Sequence, residues 1–100
     1  MNDIGLRQIL GKTITGVVIK QNNHKKWIGP DFQIKLVFLD RTNFEIYVDS
    51  PADIRFGGGI DPGGIEAARK YMGERMDIIV DLHLDENGRI VKTDHDKPAQ

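Results

Sequence analysis

Apolar and polar residues alternate with a period of two along most of this chain, the mark of strands with one covered face. Helical spacing replaces that rhythm only twice. At the start, Asp3 is placed to cap a short helix whose Leu6, Ile9 and Leu10 form one apolar stripe, and Gly11 is a natural stop. A helix this short has to dock on something. The first strand is predicted over 12–21, with Ile14 facing one way and Val17 and Ile19 the other. Gly16, at that change of parity, predicts a bulge or sharp bend. A polar loop follows over 22–30.

The second strand, 31–40, sets Phe32, Ile34, Leu36 and Phe38 against Gln33 and Lys35. Val37 and Leu39 interrupt the alternation and leave an unbroken apolar run from Leu36 to Leu39. Such a run is either covered on both faces or open to a partner, which makes Val37 and Leu39 candidate self-association residues. The residues Asp40-Arg41-Thr42-Asn43 have the composition of a tight turn, and Phe44, Ile46 and Val48 open a third strand that Ser50-Pro51 ends. Five glycines and a proline between Arg55 and Gly64 read as a turn-rich connection.

The second helical stretch follows, with Asp61 as its cap and Pro62 at its first position. Glu66 sits early, Arg69, Lys70 and Arg75 sit late, and Glu66 and Lys70 form an i,i+4 pair. Its buried stripe is Ile65, Ala68 and Met72. The clearest strand runs over 76–85, with Ile78, Val80, Leu82 and Leu84 predicted inward and Asp81, His83 and Asp85 outward. Glu86-Asn87-Gly88 turns the chain into a last strand over 89–93. A polar tail over 94–100 is predicted to fray.

These elements predict a single small domain over 1–100 of α+β, mostly β class. Its plan is a five-stranded antiparallel sheet or small barrel in the order β-β-β-α-β-β, with a short N-terminal helix. That order, with its helix between the third and fourth strands, resembles the oligonucleotide/oligosaccharide-binding (OB) barrel, in which the loop between the first two strands is a binding element. A Sm-like barrel is the alternative. It accommodates the N-terminal helix but has no place for the second one.

Composition narrows the picture. The chain has 100 residues, 39% of them hydrophobic and 29% charged, which suits one soluble core. It has no cysteine, which excludes disulfides, thiol catalysis and cysteine-ligated zinc. The N-terminus lacks a signal-peptide pattern, and no apolar run approaches a membrane span, so a cytoplasmic setting is expected. Net charge is −1, yet residues 1–48 hold seven Lys/Arg against four Asp/Glu, while the remainder is acidic.

Chemical motifs fail one by one. Gly5 and Gly11-Lys12-Thr13 are one residue too far apart for a phosphate loop, and Pro62 spoils a dinucleotide fingerprint begun at Gly57. Asp81, His83 and Asp85 share a strand face at steps of about 7 Å, too spread to close on one metal ion. Ser50 lacks a nucleophile context. No catalytic residue, metal site or cofactor is therefore expected.

The remaining candidate chemistry is the loop segment Lys25-Lys26-Trp27, where a lone tryptophan beside two lysines fits stacking on single-stranded nucleic acid. Lys20, Lys35 and Arg41 would extend the basic strip. The expected function is a non-catalytic binding or protein-interaction module, self-associating or taking a protein partner, with single-stranded nucleic-acid binding as the alternative.

Overall fold

Among the described residues, six antiparallel strands, not five, make one open sheet. The computed structural model describes residues 4–23, 30–49, 53–70 and 76–95. In chain order the elements are α1 (Ile4–Ile9), β1 (Ile14–Gln21), β2 (Phe32–Phe38), β3 (Thr42–Asp49), β4 (Asp53–Pro62), α2 (Ile65–Lys70), β5 (Asp77–Leu84) and β6 (Ile90–Lys92). The sheet order is β4-β3-β2-β1-β5-β6. Its outer strands, β4 and β6, do not pair with each other, so the expected barrel is not closed. No helix among the described residues is long and apolar enough to cross a membrane.

The extra strand is β4, which occupies the stretch expected to be a glycine-rich connection. It pairs with β3 along its length, with a register shift between Phe44 and Ile46. The glycines there serve a close approach. A Cβ on Gly57 would run into the side chain of Glu45, which lies across the strand at this point. Asp61 and Pro62 accordingly finish a strand and do not open the helix, and α2 begins at Ile65. Glu66 pairs at i,i+3 with Arg69, 2.9 Å, where Lys70 had been expected. The bulge predicted at Gly16 is present as a register shift between β1 and β2.

Strand alternation divides the sheet into two faces, and their burial reverses the sequence expectation. Cross-strand pairing groups Val18 with Lys35 and Asp81, Lys20 with Gln33, and Lys35 with Glu45. This polar-rich face is the covered one. Lys20, Gln33, Lys35, Asn43, Glu45 and Asp81 are all buried. The other face groups Val17, Leu36, Phe44 and Ile60 across four strands, and Ile19, Ile34, Ile46 and Phe56 beside them. On β5 the same reversal holds: Asp81, expected outward, is 1% exposed, while Leu82 and Leu84, expected inward, are 36% and 40% exposed.

Helix α2 lies over the polar-rich face and supplies its apolar centre. Val18, Val37 and Ala68 form a buried cluster, with Ile65 and Ile78 packed against it. The predicted stripe of Ile65 and Ala68 therefore docks as expected; Met72 lies outside the described residues. Helix α1 packs against β4, and the Gln8 carboxamide oxygen accepts the Ile60 N–H at 3.0 Å. That bond satisfies a main-chain donor on the outer strand.

Candidate functional site

The predicted site residues separate in space. Lys25, Lys26 and Trp27 lie outside the described residues. Lys20 and Lys35, meant to extend a basic surface strip, are 0% and 3% exposed on the covered face. Arg41 stands apart from both, exposed in the β2–β3 turn at the far end of β2. Val37 is buried in the cluster under α2, and of the two proposed self-association residues only Leu39 is open, at 69%.

What the sheet brings together on its covered face is a connected polar lattice. The Glu45 carboxylate is its hub. Its Oε2 accepts from Tyr47 Oη at 2.7 Å and from Gln33 Nε2 at 3.1 Å, and Lys35 Nζ stands 3.3 Å away. Lys35 also donates to Asn43 Oδ1 at 3.2 Å and faces Asp61 at 3.9 Å, while Asn43 Nδ2 donates to the Gly63 carbonyl at 3.0 Å. Lys20 lies beside this group. Burial, and then the neighbouring Lys35 charge, lower its pKa to about 8, with Glu45 partly opposing the shift. Buried ions tolerate the loss of water only when paired and hydrogen-bonded in this way. The lattice therefore reads as internal cement.

A second buried group anchors the chain's far end. Asp81 accepts Arg69 Nε at 2.7 Å and Nη2 at 3.0 Å, and His95 Nε2 lies 2.6 Å from Asp81 Oδ2. His95 belongs to the tail predicted to fray, yet it is held here. Burial pushes the Asp81 carboxyl up, but the hydrogen bonds from Arg69 and His95 outweigh it and hold the pKa below the ordinary value. Asp81→Asn is expected to destabilise the fold by about 2 kcal/mol, because the half-buried Arg69 keeps only the exposed Glu66 as a countercharge. Urea unfolding at neutral pH measures this. A group with a depressed folded pKa adds stability above its unfolded pKa and loses it as pH falls through the folded one. The gap between wild type and Asp81→Asn should therefore narrow only in acid, below the ordinary carboxylate range.

The opposite face carries the accessible chemistry, and that chemistry is apolar. Its charged side chains are marginal: Lys12 Nζ lies 5.6 Å from the Phe38 ring centroid at one end, Lys92 pairs with Leu82 on the outermost strand, and Asp77 pairs with Gln21 at a strand end. Phe44 and Phe38 are buried at one side, where the rings of Phe44 and Phe56 lie 5.9 Å apart. At the other side Ile14, Leu82, Leu84 and Ile90 are 50%, 36%, 40% and 75% exposed and line a shallow apolar groove of about 170 Å³. Among the described residues no cluster of three metal-ligating side chains occurs. No protein-family model, curated protein or solved structure matches this chain.

The signal for this surface was present in the sequence as Leu82, Leu84 and Ile90. Alternation alone assigned Leu82 and Leu84 to the interior, because it takes the apolar face to be the covered one.

Proposed function

We propose that this chain is a non-catalytic interaction module that self-associates through its apolar sheet face, the partner being a second copy. The observation that carries the reading is the separation of charge. Five strands present apolar side chains on one side with charge only at the margins, and the corner formed by Ile14, Leu82, Leu84 and Ile90 is open. Large apolar patches on a soluble surface mark interaction sites. An uncharged face offers a charged partner no electrostatic register, whereas a second copy brings an identical apolar face at equal concentration.

Area supports the same partner. Strands about 4.8 Å apart and about 20 Å long give a face of roughly 24 by 20 Å. Two copies packed face to face would remove at most roughly 1,000 Å² from water, because Phe38 and Phe44 are already buried, which places the contact at the lower bound for a specific interface. Aligned sheet-on-sheet packing provides the geometry. A cytoplasmic setting fits the cysteine-free composition. The OB-like architecture draws its support from β1, which pairs with β2 on one side and with the strand after α2 on the other.

Sedimentation at low and high concentration tests the proposal. The wild type is expected to shift toward dimer, and Leu84→Glu, at a half-open position, to weaken the dimer by at least about tenfold while the far-ultraviolet spectrum stays unchanged. A wild type that stays monomeric at high concentration overturns it. So does a monomer whose Trp27 fluorescence is quenched by single-stranded oligonucleotide at low salt, an outcome that would favour nucleic-acid binding.

A further inference from the structure

Three irregularities converge on one cleft that the lattice and the apolar face leave unused. It encloses about 520 Å³ between the β2–β3 turn, the residues opening α2 and the β5–β6 turn. Arg41 lines it with φ +65°, the sole described non-glycine residue in the left-handed region. That conformation costs an arginine on the order of 1 kcal/mol and persists only where surroundings impose it. Here the imposing contacts are the Gly63 N–H donated to the Arg41 carbonyl at 2.9 Å and the Arg41 N–H donated to Phe38 at 3.1 Å. No described carboxylate pairs with the guanidinium.

His83 is the second irregularity. Its side chain shares the covered face with Gly16, and its Nδ1 is shut away from water with no hydrogen-bond partner among the described residues. A buried N–H without an acceptor costs more than a buried lone pair. In the tautomer that spares the buried Nδ1 a proton, Nε2 is the ring's donor, and His83 lines the cleft. The carboxylates nearby are the third. Glu66 is held by Arg69 at 2.9 Å, and Asp85 Oδ1 is turned back to accept the Asn87 and Arg89 amides, each at 2.9 Å. Glu86, exposed on the rim, has no partner among the described residues.

The lining thus offers the Arg41 cation, the His83 ring and the unpaired Glu86 carboxylate, with Asp85 as a second negative charge tied by Oδ1 to the turn amides, beside an apolar wall of Val37, Leu39 and Ile65. We propose that the cleft binds a small zwitterion of the amino-acid type with an apolar side chain. The carboxylate is held by Arg41 and the His83 Nε2–H, the ammonium by Glu86, and the side chain lies against Ile65. The volume suits a ligand of that size. The cleft shares Thr15, His83 and Leu84 with the groove at the edge of the self-association surface, so the test is run at a concentration where the chain is monomeric.

Titration with L-phenylalanine, followed through the His83 ring resonances and by calorimetry, tests it. L-phenylalanine is expected to shift the His83 signals. Phenethylamine, which lacks the carboxylate, and 3-phenylpropionate, which lacks the ammonium, should each bind at least about tenfold more weakly. Arg41→Gly relieves the backbone strain and so keeps the fold. It should bring L-phenylalanine down to the affinity of phenethylamine, and Glu86→Gln should bring it to that of 3-phenylpropionate. An L-phenylalanine titration that leaves His83 unmoved overturns the proposal, as does full-strength binding by Arg41→Gly.

Discussion

Replacing Glu45 with glutamine is expected to destabilise the fold by about 3 kcal/mol or more, the largest effect of any conservative change in this chain. Glu45 is the countercharge for Lys35 at 3.3 Å, and both are buried. Its Oε2 is also the common acceptor for Gln33 and Tyr47. A neutral amide removes the charge and offers one of those donors an NH₂ group in place of an oxygen. Lys35 then faces the half-exposed Asp61 at 3.9 Å in place of the buried carboxylate. Urea unfolding should show a lower midpoint with an unchanged slope. The double change Lys35→Met with Glu45→Leu should recover most of the loss, because it removes both buried ions together. A single Glu45→Gln as stable as wild type would show that the lattice contributes little.

Lys20 should give this protein a stability that rises with pH where many proteins begin to weaken. Its folded pKa of about 8 lies below the ordinary 10.5. Between those values the unfolded chain binds a proton that the folded chain does not, so stability climbs as pH rises through that window. The full amplitude is on the order of 3 kcal/mol, the equivalent of the shift at 1.36 kcal/mol per unit. Chemical denaturation at several pH values between 7 and 10.5 measures it. Lys20→Met should flatten the dependence and leave the variant more stable than wild type at neutral pH. A flat wild-type profile would mean that Lys20 keeps its proton on folding.

Much of the fold was legible because alternation and turn chemistry are local. The strands near Ile34, Ile46 and Val80, the turn at Arg41 and the docked stripe of Ile65 and Ala68 all follow from nearest-neighbour patterns. β4 was missed because Gly57, Gly58 and Gly59 carry no side-chain rhythm; the reason for glycine at position 57, the Glu45 side chain lying across it, is twelve residues distant. Closure of the sheet was also beyond local reading, since it depends on which outer strands meet.

The reversal of faces has a similar origin. A period of two states that a strand has two sides, and hydropathy nominates the apolar one as covered. Here Lys20 sits opposite Gln33, Gln33 opposite Tyr47, and Lys35 opposite Glu45, so the polar side satisfies itself once register is established. Register is a tertiary property. The same holds for the cleft, whose Arg41, His83 and Glu86 come from three separate turns and strands with no spacing motif to announce them.

The two rims of the sheet are unequal. Along β4 the docked helix α1 and Gln8 obstruct the approach of another strand, whereas β6 ends the other rim with only three residues. Lateral recruitment of further chains would thus find one side blocked and the other too brief to hold a long ladder. In the proposed face-to-face dimer, stacking closes after a single pairing. Growth into fibrils has no repeating path, so the arrangement confines a sticky surface to assemblies of finite size.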